Sequence, residues 1–517
     1  MIKQISPNDT AELTASDGLF AVFDVRERGE YNDGQISHAT SLPRSQIELR
    51  IDALVPDRKI PIVVYDEGGS RAELAANTLA DLGYQDVAVM RGGMGAWEKE
   101  QRQTVSGVNV PSKAFGERVH HERAVPDVSP EELKSLIDNN TDLTILDVRT
   151  PEEYGRFCIP GGINVPGGEL IHWAEKLRNQ PAVIVNCAGR TRSIIGTAAL
   201  RRLGLTNVRA LRNGTMGWVL AGYQLETKSV SRAALPQSQG QAMAAALKIA
   251  ADEKMAWTTP EQLSYLIAHA ADGVNYIMDV RSEAEFAAGH IDGALNVPGG
   301  QAVQRADDFV PVRNGCIVFV SNLSARAVMA AYWYGQMGFN HVSVLQGGLE
   351  AWSASGGKLV TGVTAAEPLG FDSAKRSARI IDVTELRRQG SEGFLILDVS
   401  TSLEYESAHI PGAKWISRGW IDIKLPELFP DRGQPMVLTC ADGRQSIFAA
   451  RQLAQVGYSD VQVLDGGVRG WTAAGLGTAA GLGDCLVKTN DVVLSPSIRG
   501  SKEDMLNYLN WELKLKH

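Results

Sequence analysis

The residues best equipped for covalent chemistry are Cys187-Ala188-Gly189-Arg190-Thr191-Arg192-Ser193, which follow the apolar run AVIVN. A free thiol is only a few per cent ionised at neutral pH. Beside arginine at a helix N-terminus its pKa falls to roughly 3.5–7.5, and each unit of lowering favours the thiolate by about 1.4 kcal/mol. Arg190 and Arg192 supply permanent positive charge, and Gly189 lets the backbone curve so that successive N–H groups point at an anion. The pattern predicts a thiolate on a surface loop, with Cys187 as nucleophile and Gly189, Arg190, Arg192 and Ser193 holding an anionic substrate. A buried structural cysteine is the competing reading; two arginines and a glycine so close to the thiol argue against it.

A second cysteine stands in a related setting, Cys440-Ala441-Asp442-Gly443-Arg444-Gln445-Ser446. Arg444 favours ionisation and substrate binding there. Asp442 opposes a thiolate, and Gln445 donates hydrogen bonds without charge. Cys440 is therefore expected to be the weaker of two catalytic thiols.

These loops belong to a repeat. An apolar run ends in aspartate at Asp24, Asp147, Asp279 and Asp398; a later β-branched run ends at Asp66, Cys187, Ser321 and Cys440; a tryptophan follows a glycine-containing turn at Trp97, Trp218, Trp352 and Trp471. The first interval is 42, 40, 42 and 42 residues, and the second is 31 in every copy. A period of this length marks an array of domains. The expected boundaries are 1–105, 126–228, 256–358 and 377–477, with a tail from 478 to 517. In two copies the position of the thiol carries Asp66 or Ser321, neither of which offers a thiolate. Asp66 and Glu67 should also repel an anionic substrate.

Within each copy, apolar runs without alternation are separated by helical segments, which predicts buried parallel strands in an α/β fold. Ser129-Pro130-Glu131-Glu132 and Thr259-Pro260-Glu261-Gln262 read as capping boxes opening helices. Ligands of such sheets bind at the carboxyl ends of strands, so Asp147 and Cys187 should share one edge. Residues 229–255 and 361–376 read as linkers, the first with an Ala-rich helical part. Met505, Leu506, Leu509 and Leu513 make one helical face, expected to dock on the last domain.

The net charge of −9, with 44% hydrophobic and 21% charged residues, is ordinary for a soluble protein and argues against broad binding to nucleic acid or anionic membranes. No segment has the apolar length of a membrane span or signal peptide, so a cytoplasmic location is expected. The five cysteines lack paired metal spacing and are sparse for a disulfide framework. Cys158 reads as packing. Asp147 is expected to cap its turn while Arg149 pairs with Glu152 or Glu153, His120 and His121 to lie solvated in a linker, and the tryptophans to anchor the core.

LDVRTPEEY, IPGGINVP, CAGRTRS and NGTMGW in the second repeat together resemble the rhodanese (thiosulfate sulfurtransferase) superfamily. The resemblance implies four tandem rhodanese-like domains, each a parallel β-sheet flanked by helices on both faces. It also implies that sulfane sulfur is held as a persulfide on Cys187. Thiosulfate or another small-molecule sulfur donor, a thiol or cyanide acceptor, and a protein sulfur acceptor are the partners implied, with no metal or organic cofactor. The six-residue span from Cys187 to Arg192 resembles the sulfurtransferase loop rather than the longer one of Cdc25-type phosphatases, so a phosphatase or arsenate reductase is disfavoured. A non-catalytic scaffold is the rival of a different class, supported by the loops at Asp66 and Ser321.

Overall fold

The computed structural model describes residues 2–236, 239–269, 274–362, 367–389 and 393–516. Among these residues the chain forms four five-stranded sheets, one per repeat, and two small two-stranded ribbons. In the second repeat the order is Ile163–Asn164, Thr144–Asp147, Val183–Asn186, Val208–Leu211 and Asp127–Val128, every pairing parallel. The other three sheets have the same connectivity. Each central strand is buried on both faces, as Val183, Ile184 and Val185 illustrate, which is why these runs carry no alternation.

The chain divides into two compact units, residues 1–107 with 365–493 and residues 108–364 with 494–517. The first unit therefore holds the first and fourth repeats, and the second holds the second and third together with the C-terminal helix Lys502–Leu513. That helix packs on Val110–Glu122 and Gly214–Leu220 beside the second repeat, not on the last repeat as its position in the chain led one to expect. The expected apolar face docks only in part: Leu509 is buried, Leu506 is half exposed, and what receives the face is remote in sequence.

The local signals hold in most places. Thr259 and Gln262 form the full reciprocal box. Ser129 accepts from the N–H of Glu132, while the Glu132 carboxylate turns outward to Arg209, so only half of that box forms. Three tryptophans, Trp97, Trp218 and Trp352, are buried, and all four donate their indole N–H to a carbonyl six residues on. The Ala-rich linker contains the helix Gln239–Asp252, and the second linker enters the helix Phe371–Ser377. Residues 237–238 and 363–366 of those linkers lie outside the described residues. His120 and His121 belong to the helix Val110–Glu122 rather than to a linker, and His120 lies 3.7 Å from Asp127.

Within each unit, the repeat whose loop lacks the cysteine grips its neighbour through the arginine of that loop. Arg326 binds Glu285 of the third repeat and, at 2.8 Å, Glu169 of the second. Arg71 binds Glu30 and Glu67 of the first repeat and stacks its guanidinium 4.1 Å from the ring centre of Trp420 in the fourth. Two buried pairs add to that second interface, Arg418 with Glu48 at 2.6 Å and Arg44 with Asp422 at 2.7 Å. In buried pairs of this kind desolvation offsets much of the attraction, while removal of one partner leaves an uncompensated buried charge.

Candidate active site

Val183–Asn186 delivers Cys187 to the carboxyl edge of the sheet, where the parallel register sets Asn186 beside Asp147. Asn186 donates to the Asp147 carboxylate at 3.2 Å. The Asp147 side chain caps its own turn by accepting from the N–H of Arg149, as the sequence implied. Arg149 differs from expectation: it folds back as a bidentate partner of Asp147, at 2.9 and 2.7 Å, and does not reach Glu152 or Glu153. Asp24 with Arg26 and Asp279 with Arg281 repeat this arrangement. It is a scaffold that fixes the strand end beside the loop.

From Cys187 the chain curls through Gly189 and Arg190 into the helix Thr191–Arg202. Gly214 clamps this curl from below. Its φ is +54°, and a Cβ on it would lie 2.2 Å from the carbonyl oxygen of Cys187, so only glycine fits. Thr215 and Met216 then donate their N–H groups to the carbonyls of Cys187 and Ala188. The Cys187 thiol lies 3.5 Å from the Ser193 hydroxyl, which itself donates to the carbonyl of Arg190.

Three expectations for this loop need correction. Cys187 is 2% exposed and so does not sit on a surface loop. Burial raises its pKa, although Arg192 and the Ser193 hydrogen bond pull the other way. Finally, both arginines are already engaged. Arg192 is bidentate with Glu153 at 2.7 and 2.8 Å, and Arg190 is bidentate with Glu117 at 2.5 and 2.9 Å. Burial works against ionisation of Glu153, yet Arg192 holds its carboxyl down at about 2.

The pairing of Arg192 with Glu153 was legible in the repeat. A glutamate lies six residues after each landmark aspartate, and in the first three copies it binds the arginine five residues after the thiol position, as Glu30–Arg71, Glu153–Arg192 and Glu285–Arg326. Glu117 and Glu512 carried no such signal, since they come from segments outside the repeats.

The remaining loops diverge in informative ways. Asp66 places its carboxylate where the loop N–H groups converge, accepting from Gly68, Gly69 and Ala72 at 2.7, 3.1 and 3.0 Å. The group expected to repel an anion thus occupies the anion's own cradle. Ser321 accepts from Ala327 at 3.3 Å. In the fourth repeat the buried Cys440 sulfur accepts from the N–H of Gly443 at 3.2 Å and lies 3.6 Å from the Ser446 hydroxyl. Burial raises the Cys440 pKa too. Arg444 points outward, half exposed and 3.6 Å from Asp442. Gln445 instead accepts from Arg418 at 2.5 Å, and that arginine's charge is already committed to Glu48. Cys158 is buried in an antiparallel bridge with Glu226.

No group of three or more His, Cys, Asp or Glu side chains among the described residues is placed to hold a metal ion, and no helix among them is long and apolar enough to cross a membrane. The fold and the loop define the class. The rhodanese-like domain model matches residues 6–100, 129–221, 259–355 and 382–474, and the chain belongs to that family.

The crystal structure of thiosulfate sulfurtransferase from Pseudomonas aeruginosa is similar across 100% of this chain and 97% of its own, at 38% identity and a TM-score of 0.92. Among sequence relatives, thiosulfate sulfurtransferase GlpE of Pseudoalteromonas translucida is 35% identical over 83 residues, 16% of this chain and 77% of GlpE. The putative sulfur carrier protein YrkF of Bacillus subtilis is 30% identical over 95 residues, 18% of this chain; the match spans about half of YrkF, 51%. The homologues and the structure support a function of the sulfurtransferase type.

Proposed function

We propose that this protein carries sulfane sulfur from a donor to an acceptor through a persulfide on Cys187. The observation that carries the reading is the placement of Cys187 at the carboxyl edge of the sheet, inside a loop with Arg190, Arg192 and Ser193 and clamped by Gly214. The Cys187 thiolate attacks the outer sulfur of the donor. With thiosulfate as donor, the sulfur–sulfur bond breaks and sulfite leaves with the electron pair, its oxygens held by the arginines and Gly189. A thiol or cyanide then takes the outer sulfur and returns the Cys187 thiolate. A donor oxyanion has to displace Glu153 from Arg192 and Glu117 from Arg190, which makes binding an exchange of ion pairs. Cys440, with Arg444 turned outward, is the slower second thiol. We place the activity in the cytoplasm, with a small molecule or a protein cysteine as acceptor.

The direct test is intact-mass analysis after exposure to thiosulfate or a low-molecular-weight persulfide. A gain of one sulfur atom that maps to the Cys187 peptide is expected, and a protein that takes up no sulfur from any donor would instead be a scaffold.

The first and third repeats have a structural role in this reading. Asp66→Ala and Ser321→Ala should each change turnover by less than about threefold, equivalent to about 0.7 kcal/mol of barrier. A hundredfold loss from either would place that loop in the reaction.

A further inference from the structure

The Lys502–Leu513 helix brings a carboxyl group to the Cys187 loop that none of the four repeats encodes. Glu512 is 1% exposed. One of its oxygens, Oε1, accepts from the Thr191 hydroxyl at 2.5 Å. The other, Oε2, is buried and has no hydrogen-bond partner among the described residues. That free oxygen faces the loop, because a Cβ on Gly189 would lie 3.3 Å from it and 3.6 Å from the Tyr508 ring.

A buried carboxyl oxygen without a partner is left with its desolvation cost uncompensated. A group of this kind suits a ligand that brings its own hydrogen. The surrounding charges point the same way. Lys113, whose Nζ lies 4.7 Å from the ring centres of both Tyr508 and Trp511, comes from the Val110–Glu122 helix, as does Glu117; the loop contributes Arg190 and Arg192, and Glu153 faces Arg192. Three cations stand against Glu117, Glu153 and Glu512. The neighbourhood is balanced rather than cationic, which is a poor setting for a dianion and a better one for a protonated sulfur compound.

We propose that Glu512 is a specificity-determining residue of the Cys187 site, whose Oε2 accepts the proton of an incoming thiol and disfavours dianionic oxyanions. This rests on the persulfide reading above. In the transfer step the acceptor S–H proton passes to Oε2 as the acceptor sulfur bonds to the outer sulfur of the persulfide. The bond between that sulfur and Cys187 Sγ breaks, and the electron pair returns to Sγ as thiolate beside Arg192. Glu512 then gives the proton up to the departing persulfide product or to solvent, and Cys187 is left as the thiolate that attacks the next donor. Burial raises the pKa of Glu512, Lys113 and Thr191 oppose that rise, and Glu117 adds to it, so the group is a better proton acceptor than an ordinary carboxylate.

The test uses the full chain and its Glu512→Gln variant, which keeps the shape and an oxygen for Thr191. Sulfur loading from thiosulfate, and unloading to a small thiol and to cyanide, are measured separately. The expected result has opposite signs: unloading to the thiol slows at least tenfold, unloading to cyanide is unchanged, and the KM for thiosulfate falls severalfold. Glu512→Asp should recover part of the thiol rate, and a thermal melt of each variant reports folding. Equal changes with thiol and cyanide, or no change with either, would overturn the assignment. If Glu512→Gln does not fold, the thiol-to-cyanide ratio of folded Glu512→Asp decides, an unaltered ratio counting against the proposal. A wild-type chain that takes up no sulfur overturns the persulfide reading itself, and is recognised before any variant is compared.

Discussion

Cys187→Ser is expected to lower sulfur transfer from thiosulfate to about a thousandth of the wild-type rate, about 4 kcal/mol of barrier. A serine hydroxyl is a poor nucleophile and holds no persulfide, so the change removes the covalent intermediate. The fold should survive, because oxygen for sulfur removes little volume and the neighbouring Ser193 hydroxyl, 3.5 Å from the thiol, is left as a hydrogen-bond partner. Any residual rate is expected to come from Cys440 and should vanish in the Cys187→Ser, Cys440→Ser double variant. Steady-state turnover together with a thermal melt checks both parts. A single variant with wild-type turnover would move the chemistry away from Cys187.

The second large effect is on stability. Glu117 and Arg190 form a pair whose side chains are 0% and 7% exposed. Glu117→Ala leaves the guanidinium buried opposite an empty space, which costs about 3–5 kcal/mol. The thermal midpoint of the unit containing the second repeat should fall by on the order of 10 °C. Glu117→Asp should lose much less. A fall of under about 2 °C for the alanine variant would mean that Arg190 is satisfied by other groups, of which Asn213, at 3.2 Å, is in reach. The same variant frees Arg190 for an oxyanion, so its KM for thiosulfate should drop while its stability does.

These two residues differ in how visible they were. Cys187 announces itself through its neighbours in the chain, and strand, thiol, glycine and arginines lie within ten consecutive residues. Glu117 sits in a segment that reads as a linker. It forms the helix Val110–Glu122, in which Gly116 lets Thr191 approach closely, a Cβ there falling 2.9 Å from the threonine methyl group. Nothing in the local pattern of residues 110–122 reports that neighbour.

The sequence by itself determined the four-fold repetition, the parallel α/β sheets, the strand-end position of the thiols and the loss of the thiol at Asp66 and Ser321. These follow from short-range patterns, namely apolar runs, N-caps, turn glycines and fixed intervals, which act within one repeat. Only the tertiary structure decided which repeats share a unit, that the C-terminal helix serves the second repeat, and that Arg190 and Arg192 are neutralised by Glu117 and Glu153. It also reversed the expected thiol electrostatics, since the ionisation of a cysteine depends on its desolvation and on every charge within reach. Most of what buries Cys187 and balances its arginines comes from residues far away in the chain, and their approach is a property of packing that no window of sequence contains.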